Sequence, residues 1–218
     1  MVPQVIFENP EFMVLDKPSG WHTVRGKGDA LGEPSVEGWL LERDSETEHL
    51  PEAGLVHRLD RGTSGCLIVA KTLDASEVLQ EELRDGRIQK RYLAIVEGRV
   101  ARKGDFVLHF NSRYRGSKKI RVTAEGHYTV RGRCRWWRRD DLVPGPGRQA
   151  VEVDLMGAGR RHQVRAGLAF LGTPLVGDPL YGGPESDRVM LHAWAVIVEG
   201  RRIEAPIPDG FGGAEEEE

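Results

Sequence analysis

HRLDRGTSG (57–65) runs straight into CLIVAKT (66–72), so a polar, glycine-bearing loop is followed at once by an apolar run of strand length. The loop holds a histidine, two arginines, a carboxylate, two hydroxyls and two glycines. Loops held by rigid strands are where catalytic groups concentrate. Asp60 lies between Arg58 and Arg61, and cations so close favour the ionised carboxylate. A positioned, ionised carboxylate can act as a nucleophile or stabilise a developing cation. The plain alternative is an Asx-type turn with both arginines in solvent.

Working outward, VIFE (5–8) and FMVLD (12–16) flank an Asn-Pro turn and read as paired strands. AGLVH (53–57), CLIVA (66–70), YLAIVEG (92–98), FVLHF (106–110), AVEVDLM (150–156) and VMLHAWAVIVEG (189–200) read as further strands. Helices are expected over 34–43, with Trp39 and Leu40 inward, over 74–85 and over 160–171. For 74–85, Asp74 is the expected cap, Val78, Leu79 and Leu83 the apolar stripe, and Gly86 the stop. In 160–171, Val164, Leu168 and Leu171 are the apolar positions. Many strands with few helices point to an α+β fold on a mixed, mostly antiparallel twisted sheet. No GxGxxG or GxxxxGK[ST] follows a strand, so nucleotide-cofactor and P-loop readings have no support.

The 218 residues carry a net charge of −3, which looks wrong for a nucleic-acid binder until it is mapped along the chain. Residues 113–139 hold ten Arg or Lys and one acid, Glu125, a local +9. The rest carries −12, much of it in Asp29–Glu52 and in Glu215–Glu218. Fields act over a Debye length of about 8 Å at physiological salt, so the basic segment can hold a polyanion. Cys66 and Cys134 form no CxxC, and the seven histidines make no HxH or HxxxH pair. Both facts argue against a disulfide framework and a metal centre. No apolar run of membrane length and no signal-peptide pattern is present, so the expectation is a cytoplasmic protein off the membrane.

HRLDRGTSG with CLIVAKT resembles the signature of RluA-type pseudouridine synthases. LDKPSG (15–20), KRYLAIVEG (90–98), GRRHQVR (159–165) with LAFLGTPLVGDPLYG (168–182), and LHAW (191–194) resemble further blocks of that family, in family order. The resemblance implies a cofactor-free isomerase that breaks the uridine glycosidic bond, rotates the uracil and rejoins it through carbon. On it, the catalytic aspartate falls on Asp60, the active-site tyrosine on Tyr92 and the carboxylate-pairing arginine on Arg165. Arg58 matches a residue that can fill the stack left by a flipped base, and Leu191 a pocket-lining apolar position. Arg61, Thr63 and His162 complete the expected substrate contacts, although a packed His162 that orients its helix is the plainer reading. The implied partner is structured RNA, ribosomal, transfer or both, met by a monomer. A base inside folded RNA must be extruded before it can be rotated, and an aromatic platform, a cation and a carboxylate suit such a pocket. The chain departs from the family pattern at Ala158 (usually Thr), at Ala166-Gly167 (usually an apolar residue and His) and at Cys66 (often Leu).

Two other classes compete. A Ser-His-Asp hydrolase could draw on Ser64, His57 or His162, and Asp60, but GTSG is not the G-x-S-x-G elbow. An RNA-binding protein without catalysis would use the basic segment and leave the Asp, Tyr and Arg set unexplained. RWWRR (135–139) mixes indoles with guanidiniums, which suits stacking on bases, with one of the two tryptophans expected in the core. Arg131, Arg133 and Arg135 alternate, so a strand puts them on one face, expected as a phosphate track beside the pocket. The alternative for that face is a solvated edge strand. The catalytic domain is expected over 1–210 with no separate N-terminal RNA-binding domain, and 211–218 as a disordered acidic tail.

Overall fold

β1 (Gln4–Glu8) and β2 (Phe12–Lys17) form an antiparallel hairpin. Its turn is pinned by the Asn9 side-chain oxygen, which accepts the amides of Glu11 at 2.9 Å and Phe12 at 2.7 Å. The computed structural model describes residues 1–26, 32–112, 117–126 and 130–212. The fold is α+β, a mixed sheet with few helices. By packing, the chain divides into two compact units, Met1–Ile88 with Ala193–Pro206, and Gln89–His192 with the segment from Ile207. The stretch 1–210, expected as one domain, is thus shared between two units.

In the first unit, β2 pairs antiparallel with β3 (Ser64–Ala70), in a register that sets Asp16 opposite Cys66 and Lys17 opposite Gly65. Helix α1 (Val36–Arg43) is capped by Ser35, whose hydroxyl accepts the Gly38 amide, and it buries Val36 and Leu40 while Trp39 is half-buried. Helix α2 (Leu73–Asp85) starts one residue earlier than the sequence suggests, because Thr72 rather than Asp74 takes the cap position and accepts the Ala75 amide. Leu79 and Leu83 face the core, but Val78 is 55 % exposed and lies off the stripe. Gly86 ends the helix in the left-handed region. The expected strand at 53–57 is instead a tight turn over Pro51–Gly54, with Glu52 and Ala53 at positive φ, followed by a single bridge from Leu55 to Val69. Phe12, Val14, Cys66, Ile68, Leu79, Leu83, Val196 and Ile203 share one apolar core. Cys66 fits there as a small apolar residue, and burial pushes its thiol up to about 12.

The second unit is an antiparallel set built on β4 (Gln89–Glu97), β5 (Lys103–Ser112), β6 (Ile120–Thr123), β7 (Val130–Arg138) and β8 (Arg148–Met156), in the order β4-β8-β7-β5-β6. Helix α3 (Gln163–Phe170) covers one face. It packs closely because Gly132 and Gly167 leave room. A Cβ on Gly132 would lie 2.7 Å from Gln163, and one on Gly167 would lie 2.3 Å from the Phe106 ring. Gly167 is one of the departures from the family pattern, and here it seats Phe106. Val164 and Leu168 are buried, whereas Leu171 lies past the helix end and is exposed. β9 (Leu191–Val198) starts in this unit and continues in the first, where β10 (Arg201–Glu204) pairs with it. Phe211, placed with the tail by the sequence, is buried, and the Gly212 carbonyl accepts the Val143 amide at 3.0 Å. The remainder of the expected tail lies outside the described residues. Among the described residues no helix is long and apolar enough to cross a membrane.

Gly65 is the tightest point of the β3 strand. Its φ is +104°, and a Cβ there would sit 2.2 Å from the Ala193 carbonyl oxygen. Gly65→Ala should therefore cost roughly 2–4 kcal/mol, from positive-φ strain and from backbone overlap that no rotamer relieves. Urea unfolding checks this, and an unchanged midpoint would mean that the strands part freely.

Candidate active site

The loop that carries Asp60 is held by its carbonyls. Lys17 is fully buried, and its ammonium donates to the carbonyls of Pro18 at 3.0 Å, Trp21 at 2.8 Å and Arg61 at 3.4 Å. The Arg61 carbonyl also accepts the Gly20 amide at 2.8 Å, and the Ser19 hydroxyl donates to the Gly62 carbonyl at 2.9 Å. Buried Thr23 donates its hydroxyl to the Leu59 carbonyl at 2.8 Å and accepts the Leu59 amide at 3.0 Å. The stretch 17–23 thus clamps residues 59–62, and the half-buried Asp60 side chain projects from a fixed backbone.

The loop's other residues divide by exposure. Arg58 is exposed. Arg61 reaches away from the expected position beside Asp60: its Nη2 pairs with Glu33 at 2.9 Å and its Nε donates to the Gly20 carbonyl at 3.1 Å. His22 holds the other oxygen of Glu33 at 2.9 Å. Thr63, expected as a substrate contact, is 2 % exposed, and its amide closes the turn onto the Asp60 carbonyl at 2.9 Å. It shapes the loop. The hydrolase reading finds no support at Ser64 and His57. Ser64 is buried in β3, and His57 accepts the Ile68 amide on Nε2 at 3.0 Å, so that nitrogen has no lone pair left for a serine proton.

In the second unit, Tyr92 lies on β4 opposite Val153, and Val153 is opposite Trp136 of β7. Directly opposed residues share a face, so Tyr92 is on the α3 side of the sheet, with Cys134, Trp136 and Phe106. Arg165 rises from α3. Its Nε and Nη2 donate to the two oxygens of buried Asp178 at 2.7 and 2.9 Å, a two-point ion pair. Its guanidinium also lies 5.5 Å from the Tyr181 ring centre. Tyr181 accepts the Ile120 amide at 2.9 Å and meets His162 Nδ1 at 2.8 Å, and Arg161 donates to the Ser117 carbonyl. Burial raises the Tyr181 hydroxyl above its ordinary value. His162 sits at φ 56° just before α3 and is tied to Tyr181, which gives it an orienting role. Gln163 fastens the helix to β7 by donating to the Arg133 carbonyl at 2.9 Å. Leu191 is buried at the start of β9.

Asp178, Tyr181, Gln163 and Lys17 were not singled out from sequence. Their signal was present, since all four stand within the quoted blocks, but a residue that holds another has no chemistry of its own to betray it.

The arginine trio is corrected. Arg131, Arg133 and Arg135 do share one exposed face of β7, with Trp137, while Gly132, Cys134 and Trp136 are buried. That face, however, is opposite the one carrying Tyr92 and covered by α3, so it is not a track beside that tyrosine. β7 is also an interior strand of its unit, between β5 and β8, which removes the edge-strand alternative.

The fold recurs in two solved human structures. Human RNA pseudouridylate synthase domain containing 1 superimposes with a TM-score of 0.72 at 23 % identity, over 96 % of this chain and 84 % of that one. Human RNA pseudouridylate synthase domain containing 4 gives 0.74 at 19 %, over 95 % and 89 %. Both likenesses concern the fold. In sequence, the profile of the RNA pseudouridylate synthase family matches residues 11–170, and the chain belongs to that family. Ribosomal large subunit pseudouridine synthase D of Xanthomonas campestris pv. campestris is 36 % identical over 184 residues, which are 82 % of this chain and 51 % of that protein. The chain spans about half the length of this relative. An uncharacterised RNA pseudouridine synthase of Zymomonas mobilis is 32 % identical over 97 % of this chain and 96 % of its own.

Two outcomes follow for the second unit. Asp178→Asn takes the charge from the buried carboxylate that holds two nitrogens of the Arg165 guanidinium, and should cost about 3–5 kcal/mol in urea unfolding; a loss below about 1 kcal/mol would show that other partners or water make up for the pair. Lys90, buried on the same face as Tyr92, donates to the Ala158 carbonyl at 2.7 Å, and burial lowers its ammonium from 10.5 to about 8. Between those values the unfolded chain binds more protons, so stability from this group rises from pH 8 to 10.5 and is lost as pH falls through 8. Cys66 and Cys134, pushed from 9.0 to about 12, oppose it above pH 9, since the unfolded chain then gives up protons that the folded one keeps. Parent minus Lys90→Met cancels Cys66 but not Cys134, which shares a field with Lys90, so the difference is read between pH 8 and 9, before either thiol titrates, where it should rise by about 1 kcal/mol. A flat difference would place Lys90 in water.

Proposed function

We propose that the protein is an RNA pseudouridine synthase that isomerises uridines in structured RNA after flipping them out of the stack. The observation that carries this reading is the family match across 11–170, which takes in the clamped loop bearing Asp60. Asp60 is its catalytic carboxylate, Tyr92 supplies an aromatic face and a hydroxyl for proton transfer, and Arg165, aimed by Asp178, supplies positive charge. In the reaction the bond from C1′ to N1 breaks, one from C1′ to C5 forms, C5 gives up its proton and N1 takes one. Nothing is added or removed overall, so the chemistry asks for placement and charge rather than for a redox group or a metal. In this reading Arg58, which is exposed, occupies the gap left by the flipped base. The names of relatives that act on the large ribosomal subunit support ribosomal RNA as the substrate, with transfer RNA as the other candidate. The reading places the enzyme in the cytoplasm as a monomer.

Asp60→Asn keeps the side-chain shape and removes the charge. It should abolish pseudouridine formation, with turnover down by at least about a thousandfold and RNA affinity within about threefold of the parent. Pseudouridine mapping of cellular RNA from strains carrying parent or variant supplies the measurement. A variant that modifies the same sites would take Asp60 out of the mechanism, and a parent with no dependent site would leave RNA binding alone as the function.

A further inference from the structure

The charge on the outer face of β7 is arranged unevenly. Asp105 of β5 and Asp154 of β8 stand opposite Arg135 on its two sides, and Asp154 accepts from Arg135 at 2.9 Å. Arg135 also lies 5.7 Å from the ring centre of Trp137, whose indole stays 38 % exposed. Farther along the strand the carboxylates stop. Arg133 faces Val107 on one side and Met156 on the other, and Arg131 faces His109. On β6, exposed Arg121 is opposite Asn111. Among the described residues Arg121, Arg131 and Arg133 have no ion-pair partner, while Arg135 and Arg138 each have one and Arg139 has two. Alternate residues on a strand are about 7 Å apart, so two like charges are held side by side in the folded state. That repulsion is relieved when a polyanion lies across them.

We propose that this face, on the side of the sheet away from α3, is a docking platform for an unpaired RNA strand. Arg121, Arg131 and Arg133 meet its phosphates, and Trp137 and Val107 offer surfaces to its bases. The proposal rests on the RNA-modifying reading and adds to it a surface separate from the face that carries Tyr92. An unpaired strand fits better than a duplex, because the apolar surfaces lie among the cations, where only unstacked bases can use them. Arg135 is outside the phosphate set, since Asp154 already neutralises it. Its part is to hold Trp137.

The test is fluorescence anisotropy with a labelled single-stranded oligouridine of about twelve nucleotides and the full chain, from roughly 50 to 200 mM salt. Arg131→Gln with Arg133→Gln should weaken binding about tenfold at the low end and make the log–log salt slope shallower by about 1.4, two contacts at about 0.7 each. Trp137→Ala should weaken binding while leaving the slope unchanged, since stacking releases no counterions. Both arginines are exposed, and thermal unfolding of the double variant at the parental midpoint confirms that only the surface changed. Unchanged affinity and slope in the double variant would overturn the platform, and so would tighter binding of a duplex of equal length. The readout is binding, so the two readings fail separately. An inactive parent that shows the expected slopes keeps the platform and loses the enzyme. An active parent whose double variant binds as tightly loses the platform alone.

Discussion

A lysine ammonium with no exposure to water must find acceptors within the protein, because an unpaired buried charge costs several kcal/mol. The acceptors of Lys17 include three backbone carbonyls, two in the turn that follows it and one at Arg61. Lys17 is also the last residue of β2, paired opposite Gly65 at the start of β3. One side chain therefore joins the end of one strand to the loop that leads into the next. With the carbonyls of Leu59, Arg61 and Gly62 all occupied, the backbone on either side of Asp60 has few conformations left. The entropy of placing the carboxylate is met during folding, when the strands pair, rather than during each encounter with a substrate.

The second unit repeats this logic with other residues. Arg165 could rotate on its long side chain, but Asp178 takes two of its nitrogens at once and fixes the plane of the guanidinium. Tyr181, three residues later, holds His162 and lies against the same guanidinium. In each unit the block that carries a candidate residue, Asp60 or Arg165, is positioned by a second block distant in sequence, 17–23 for 59–62 and 178–181 for 162–165. Spacing along the chain does not express these pairings. They exist only once the strands have brought the blocks together.

That is why the sequence was informative about some features and silent about others. Alternation and turn residues show β2, β3, β4 and β8, because a strand's pattern is local. The segment 53–57 misleads, since AGLVH has the composition of a strand, yet Glu52 and Ala53 adopt positive φ and only Leu55 reaches a partner. Asp74 and Thr72 are both chemically able to cap α2, and the choice depends on where β3 releases the chain. Asp60 stood out by its cationic neighbours, whereas Asp178 sits in an ordinary-looking turn and its meaning lies in Arg165, which no local pattern links to it. Arg61 shows the converse error, being adjacent to Asp60 in sequence but aimed at Glu33 in space.

The period of two that placed the three arginines on one face could not say which face. That is decided by what packs on the other. α3 settles on the side where Gly132 leaves no side chain above β7, and its own Gly167 admits the Phe106 ring, so the helix lies close to the sheet. Gln163 then reaches the Arg133 carbonyl and fixes the contact. Once one face is taken by the helix, Tyr92 is committed to it by register through Val153 and Trp136, and the arginines are committed to solvent. The same choice sorts the tryptophans of RWWRR, with Trp136 in the core and Trp137 outside. Two missing side chains on facing elements thus decide which face of the sheet is covered and which stays open.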